Sequence, residues 1–184
     1  MAVESTTASE GPSLAFVLRA QGGDRQAFTT LVRTHDESMR RLAYGLLGDR
    51  TQMDDALQEA YVKAYRGLPS FRGNSWFGTW LYRIVYRCCI DEMRKRRPAD
   101  SLGDEADFAD RATGPEARAE ASYDVEQALR RLSAEMRAAV WLVDAEGLSY
   151  DEAARVLGTP PGTVASRVSR ARAQLRREIE GAGP

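Results

Sequence analysis

The side chains best suited to binding chemistry lie in the stretch Phe71–Arg97, which reads FRGNSWFGTWLYRIVYRCCIDEMRKRR. Aromatic rings crowd its beginning, and positive charge runs along the rest. The rings are Phe71, Trp76, Phe77 and Trp80, and the basic residues are Arg72, Arg83, Arg87, Arg94, Lys95, Arg96 and Arg97. Aromatic rings stack on exposed bases while cations follow the phosphates. The stretch therefore predicts a surface for single-stranded nucleic acid.

A plainer interpretation of the same stretch is an amphipathic core helix with a solvated basic end. Ser75 lies where an N-cap residue is expected, and Pro98 would end the helix. Apolar residues recur at helical spacing and predict a buried face, formed by Phe77, Leu81, Ile84, Val85 and Cys88. Because aromatic residues are also common in protein cores, the residue pattern alone leaves both interpretations open.

The chain lacks the residue patterns of an enzyme or a metalloprotein. We find no nucleophile beside a base and no glycine-rich phosphate loop. The single histidine, His35, is expected on a helix surface, and the adjacent Cys88 and Cys89 point in different directions on a helix. We therefore expect no catalytic activity, cofactor or metal site. A polar N-terminus and the lack of a long apolar run predict a cytoplasmic protein without membrane insertion.

Charge divides the 184-residue chain into three parts, although its overall net charge is only −1. Residues 24–97 contain 14 basic and 9 acidic residues, residues 98–123 contain 2 and 7, and residues 124–180 contain 9 of each. The resulting net charges are +5, −5 and zero. A basic module, an acidic connection and a balanced module are therefore expected.

Amphipathic patterns in the first half predict a helical bundle over residues 14–97. A short helix over Leu14–Ala20 would be broken by two glycines, and Asp24 would cap a longer helix that ends at Gly48. Thr51 and Asp54 have the spacing of a capping box for the next helix. One face of that helix is polar and would carry acidic residues in its first turn; this face comprises Asp54, Asp55, Gln58, Glu59 and Lys63.

The second half ends in the pattern of a helix-turn-helix. Ser149 and Glu152 form a capping box, Gly158 closes that helix, and Thr159 would cap the next one with Pro160 at its first position. No acidic residue occurs between Thr159 and Arg177. The arginines there are Arg167, Arg170, Arg172, Arg176 and Arg177. In this motif the second helix enters the major groove, so the acid-free helix predicts DNA contact.

These patterns together predict an all-α protein of two small helical domains. The expected parts are a disordered N-terminus (1–13), a helical bundle (14–97), a flexible acidic linker (98–122) and a helix-turn-helix domain (123–180). Proline, glycine and many acidic residues give the linker its extended character. Leu102 and Phe108 within it make a binding role a second interpretation beside that of a passive tether.

Two stretches resemble the extracytoplasmic-function (ECF, group IV) sigma factors, the small two-domain subunits that give bacterial RNA polymerase its choice of promoter. The first is FRGNSWFGTWLYRI followed by the basic helix, which resembles the promoter-melting segment of the family. The second, GLSYDEAARVLGTPPGTVASRVSRARAQLRR over Gly147–Arg177, resembles the family pattern GLSYxEIAxxLGxPxGTVxSRLxRAR. The order of the two stretches and the acidic linker between them also agree with the family.

The resemblance implies partners for three sets of residues. The polymerase-binding set, which would grip the clamp helices of the β′ subunit, is Asp54, Asp55, Gln58, Glu59 and Lys63. A second set would bind the −10 element, both as duplex DNA and as the melted non-template strand. It consists of Phe71, Arg72, Asn74, Ser75, Trp76, Trp80, Arg83, Arg87 and Arg94. The set for the −35 element is Thr163, Ser166, Arg167, Arg170 and Arg172. Many relatives are silenced by an anti-sigma factor, so the resemblance adds such a protein to the candidate partners.

Three positions depart from the family pattern. Arg87 stands where the family often has Asn in the pocket for a flipped base, Ala165 replaces Lys or Arg, and Ser169 replaces an aromatic or His. These departures weaken the transfer of any particular promoter sequence from the family to this chain, but not the transfer of the role. The alternative function is a stand-alone helix-turn-helix regulator that binds DNA as a dimer without polymerase.

Overall fold

The computed structural model describes residues 10–95 and 127–181, and this part of the chain contains helices but no strand. The N-terminal domain consists of α1 (Glu10–Gln21), α2 (Arg25–Leu47), α3 (Arg50–Gly67), a 3-10 turn (Leu68–Ser70) and α4 (Phe77–Lys95). The C-terminal domain begins with helical residues 127–130 and continues with α5 (Ala134–Val140), a π-helical turn (Trp141–Ala145), α6 (Tyr150–Leu157) and α7 (Pro161–Gly181). The prediction of two all-α domains is confirmed. The predicted linker and residues 1–9 lie outside the described residues, and α1 begins four residues before Leu14.

Most of the expected helix caps are present. Asp24 accepts a hydrogen bond from the Ala27 backbone N–H at 3.0 Å, and Gly48 ends α2 in the left-handed conformation with φ of 68°. Ser149 and Glu152 form the reciprocal capping box at the start of α6. Local hydrogen bonds of this kind depend on residues three or four apart, so they follow from the sequence directly.

The start of α3 differs from the prediction. Asp49 is its N-cap residue and accepts a hydrogen bond from the Gln52 backbone N–H at 2.9 Å. The predicted capping box of Thr51 and Asp54 is therefore wrong, because an aspartate two residues earlier already caps the helix. Asp54 and Asp55 consequently lie in the second turn rather than the first, and the helix dipole acts on them less there.

The two helices for which the sequence predicts contact with nucleic acid also begin later than expected. Helix α4 begins at Phe77, two residues after Ser75, and α7 begins at Pro161 rather than Pro160. The residue before a proline is disfavoured in the helical conformation, so Pro160 stays outside α7. Its carbonyl accepts the first helical hydrogen bonds, from the Thr163 and Val164 N–H groups.

A single apolar cluster runs through both domains. Fully buried residues from four helices contribute to it: Met39, Leu42 and Leu46 of α2, Leu81 and Val85 of α4, Val156 of α6, and Val164 and Val168 of α7. Helix α2 packs against α5, and α4 packs against α6. The domains are therefore joined by a packed interface as well as by the chain connection.

Polar contacts complete the interface between the domains around Glu146, whose side chain is only 4% exposed. Its Oε1 accepts from Arg41 Nε at 3.0 Å and its Oε2 accepts from Arg41 Nη2 at 3.2 Å. The Tyr82 hydroxyl donates to Oε2 at 2.8 Å. Burial raises the pKa of this carboxyl, but the hydrogen bonds from Arg41, Tyr82 and Ser38 outweigh burial and lower it overall.

We expect the shared core to make the stability of the chain sensitive to α2. Leu42 has no exposed surface, so Leu42→Ala should lower the free energy of unfolding by about 2–5 kcal/mol, because a cavity remains where the side chain was. Leu18→Ala is the matched control, since Leu18 is 60% exposed on α1. Urea unfolding followed by circular dichroism measures both. Equal midpoints for the two variants would contradict the core assignment.

Candidate nucleic-acid and polymerase interfaces

Helix α4 presents an exposed basic face, which we call the arginine stripe: Arg83, Arg87 and Arg94. At 100° per residue these positions lie within about 40° of one another, so they share one side of the helix. All three are exposed even though the opposite side of α4 is buried in the core. Exposed guanidinium groups on one side of a helix can pair with the phosphates of a nucleic acid.

The loop between α3 and α4 leads into this stripe and is held at its base. The Gln21 side-chain amide donates to the backbone carbonyls of Leu68 at 3.0 Å and Phe71 at 2.8 Å. Beyond Phe71 the loop faces solvent: Arg72, Gly73 and Asn74 are exposed, and Ser75 is half-buried. Sequence reasoning missed Gln21, because its partners lie about 50 positions later in the chain.

Three of the predicted aromatic residues form one cluster at the base of the loop. Phe71 lies 5.1 Å from Trp80 and 6.0 Å from Phe77, measured between ring centroids, and Phe77 lies 5.5 Å from Trp80. Phe77 is 2% exposed and belongs to the core, whereas Phe71 and Trp80 are half-buried. Phe77 therefore supports the other two rings, each of which keeps a surface for contact with a base.

The fourth aromatic residue, Trp76, is seated separately. It is 41% exposed and meets the His35 ring edge-to-face, with centroids 5.0 Å apart and planes at 87°. The indole also lies against Gly78, where a Cβ would come within 2.5 Å of the ring. His35 was expected on a surface, and that prediction is wrong: it is 8% exposed, and burial lowers its pKa. A neutral imidazole therefore positions Trp76.

The polar face of α3 is on the surface, as its amphipathic pattern predicts. Asp55 and Gln58 are exposed, while Asp54 pairs with Arg40 at 2.8 Å. Glu59 pairs with Lys63 at 2.9 Å, and the hydrogen bond from Lys63 is the main cause that lowers the pKa of Glu59. The face keeps its charges in water and leaves Asp55 and Gln58 accessible to a partner.

Helices α6 and α7 form the helix-turn-helix, with Gly158 in the left-handed conformation at the turn. Thr163, Ser166 and Arg167 are half-buried on the first half of α7, and Arg170 is exposed one turn later. These four side chains share one face of the helix. Arg172 differs, because it pairs with Asp144 of its own domain, with Arg172 Nε donating to Asp144 Oδ2 at 2.9 Å.

The described residues hold no group of three side chains arranged to bind a metal ion. Within the same residues, no helix combines the length and the apolar character that crossing a bilayer requires.

Known protein families match both domains. Residues 31–99 match the family described as Sigma-70 region 2, and residues 122–175 match Sigma-70, region 4. An ECF RNA polymerase sigma factor, SigM of Mycobacterium tuberculosis, is 44% identical over 84% of this chain and 78% of its own length. This chain belongs to the ECF family of RNA polymerase sigma factors. The sigma-region matches also leave no support for the alternative of a stand-alone regulator.

Other sigma factors are similar over nearly the whole chain. The RNA polymerase sigma-H factor of Pseudomonas aeruginosa is 38% identical over 89% of this sigma factor and 92% of its own length. The solved structure of CnrH in complex with the cytosolic domain of CnrY is 25% identical, with a TM-score of 0.71 over 94% of this chain and 99% of that chain. The sigma factor RpoE of Bartonella quintana, solved with the anti-sigma factor NepR, is 30% identical. Its TM-score is 0.66 over 85% of this chain and 98% of that chain.

The seat of Trp76 in this sigma factor can be tested through Gly78. In Gly78→Ala the new Cβ would overlap the indole, so we expect Trp76 to leave its seat and become more accessible to iodide. The measurement is iodide quenching of tryptophan fluorescence. The variant Trp76→Phe gives the signal of the other two tryptophans alone, and subtracting it leaves the signal of Trp76. Gly162→Ala is the control, because a Cβ there has nothing within 4 Å. Unchanged quenching in Gly78→Ala would show that the indole does not occupy this seat.

Proposed function

We propose that this sigma factor, of the group IV class, binds core RNA polymerase through α3, opens the −10 element with its loop and α4, and reads the −35 element with α7. One observation carries the proposal: an exposed arginine stripe begins where an anchored aromatic loop ends. The proposed domains are residues 14–97 for polymerase binding and the −10 element, residues 98–122 for the linker, and residues 123–180 for the −35 element.

The −10 element requires melting without ATP, so the exposed bases must be bound. Unstacking one base-pair step costs about 1–2 kcal/mol, and stacking a base on an aromatic side chain returns about 1–3 kcal/mol. Phe71, Trp76 and Trp80 supply partly exposed rings, and Arg72, Asn74 and Ser75 line the loop between them. The arginine stripe then follows the backbone of the melted strand and of the duplex beside it.

The −35 element is read by α7. Thr163, Ser166, Arg167 and Arg170 share one face, and base-reading residues of a helix-turn-helix lie on the first half of the second helix. Arg172 is the weakest member of the predicted set, because Asp144 already holds its guanidinium. Its role would be a phosphate contact that competes with this ion pair.

The remaining partners follow from the same assignment. The clamp helices of polymerase would meet Asp54, Asp55, Gln58, Glu59 and Lys63, as charge-assisted pairs with arginines of the partner. An anti-sigma factor is a proposed regulator, in keeping with the complex solved for RpoE of Bartonella quintana with the anti-sigma factor NepR. The sigma factor would act in the bacterial cytoplasm, on the nucleoid, and would itself catalyse no reaction.

Polymerase binding can be tested by reversing charge on α3. Asp55→Arg with Glu59→Arg should abolish co-elution with core polymerase, because both would then repel the arginines that we expect on the partner. The measurement is size-exclusion chromatography with purified core enzyme.

Asp151→Arg with Glu180→Arg is the matched control, since it reverses two acidic residues in the other domain. Circular dichroism should show wild-type helix content for both double variants. Co-elution that survives the reversal on α3 would move the docking surface elsewhere.

Melting can be tested with two forms of one promoter. We expect Phe71→Ala, and separately an alanine block over residues 74–76, to bind core polymerase but to start transcription poorly from a duplex template. Losing one stacked base would reduce initiation by roughly 5- to 150-fold, which corresponds to the 1–3 kcal/mol of the stacking contact. Run-off transcription from a promoter selected with the wild-type holoenzyme measures this effect.

The control is the same promoter with mismatches across the −10 region. A melting defect should largely disappear on this pre-opened template, because the unstacking cost has been removed. If the defect were equally large on both templates, the loop would not act in melting.

A further inference from the structure

The packed interface puts the two proposed DNA-binding surfaces very close together. Helix α4 packs directly against α6, the first helix of the helix-turn-helix. Tyr86 of α4 lies within electrostatic range of Arg167 on α7 and of Glu135 on α5. The first half of the recognition helix, where bases would be read, therefore adjoins the −10 helix.

Promoter geometry requires a much larger separation. The −10 and −35 elements are about 25 base pairs apart, which is roughly 85 Å along B-form DNA at about 34 Å per ten base pairs. While α4 and α6 stay packed together, α4 and α7 cannot reach both elements at once. The closed arrangement and the promoter-bound arrangement must consequently be different conformations of the chain.

We propose that the contact of Glu146 with Arg41 and Tyr82 is a latch that keeps the free sigma factor closed, and that the latch must break before both promoter elements are bound. The inference rests on the proposed function, since it needs the −10 and −35 assignments. Glu146 belongs to the C-terminal domain, whereas Arg41, Tyr82 and Ser38 belong to the N-terminal domain. All the hydrogen bonds to Glu146 from these side chains therefore cross the interface.

The backbone before Glu146 supports this role. The turn Trp141–Ala145 is π-helical, and the Glu146 N–H donates to the Trp141 carbonyl at 3.0 Å. A π turn adds one residue to the helix and so rotates the side chains that follow by about 100°. Both ends of this turn contact the N-terminal domain: Glu146 meets Arg41, and the Trp141 ring lies 3.0 Å from the place of a Cβ on Gly45.

One further feature of the interface favours release. Trp141, whose ring lies against Gly45 of the N-terminal domain, has its Nε1 buried without a hydrogen-bond partner within the described structure. Opening would let water reach this donor, which offsets part of the contact energy lost at Glu146.

The latch also leaves polymerase binding free. Asp55 and Gln58 are exposed in the closed conformation, on a helix that contributes no hydrogen bond to Glu146. Core polymerase could therefore dock on α3 before the domains separate. The expected order is polymerase first and promoter second, with little DNA binding by the free protein.

The test uses the full-length chain with Glu146→Gln, which keeps the volume of the side chain and removes its charge. Small-angle X-ray scattering should give a radius of gyration several ångströms larger than that of the wild type; a fully compact chain of this length would have about 16 Å. If the open fraction rises tenfold, the apparent Kd for a duplex promoter should fall about tenfold at fixed salt. Tyr82→Phe should change both quantities in the same direction, but less.

Glu37→Gln is the matched control. Glu37 also accepts from Arg41, at 2.8 Å, but its side chain is 88% exposed and both residues belong to α2. This variant should keep the wild-type radius and the wild-type Kd. Circular dichroism checks the helix content of every variant, and Tyr82→Phe decides the question if Glu146→Gln loses helix.

Two results would overturn the latch. One is a wild-type radius of gyration in both Glu146→Gln and Tyr82→Phe; the other is expansion without any gain in DNA affinity. Run-off transcription with the wild-type protein separates this inference from the proposed function. If the wild type directs transcription but the variants show no change in radius or Kd, only the latch is wrong. If the wild type directs no transcription with core polymerase, the proposed function itself is wrong.

Discussion

Helix α4 must satisfy three different surroundings at once, and the rest of the structure depends on this requirement. One side, with Leu81 and Val85, is buried in the apolar cluster, and a second side packs against α6. The third side carries the arginine stripe into water. The 19 residues of this helix can form three distinct sides because apolar and basic residues recur along it with the helical period. Core stability, domain packing and the proposed contact with DNA are therefore coupled in one element.

The aromatic loop shows how packing and the proposed nucleic-acid binding share residues. Phe77 supports Phe71 and Trp80 from the core, so two rings stay half-exposed without losing their place. His35 and Gly78 do the same for Trp76. The two interpretations of this stretch, a core helix and a surface for bases, are thus compatible. Rings that are already held lose little conformational freedom when a base stacks on them.

Closure between the domains places an acidic residue where an apolar one would be expected. A buried carboxylate is costly unless donors surround it, and Glu146 is stable only while Arg41 and Tyr82 lie against it. The rest of the interface between the domains is apolar, and Leu42 belongs to the same cluster of buried residues. The contact at Glu146 adds specificity to this packing, because its hydrogen bonds form only when Arg41 and Tyr82 face the carboxylate.

The sequence by itself determined the class of fold, most caps, the helix-turn-helix and the family, because these depend on periodicity and on residues a few positions apart. It also indicated which residues face water on α3 and α4. Only the tertiary structure decided that His35 is buried, that Gln21 holds the loop, that Arg172 is paired and that Glu146 joins the domains. The physical reason is distance along the chain: Gln21 and Phe71 are 50 residues apart, and Arg41 and Glu146 are 105 apart. No local pattern records such pairs, since Gln21, Arg41 and Glu146 each look in the sequence like ordinary exposed polar residues.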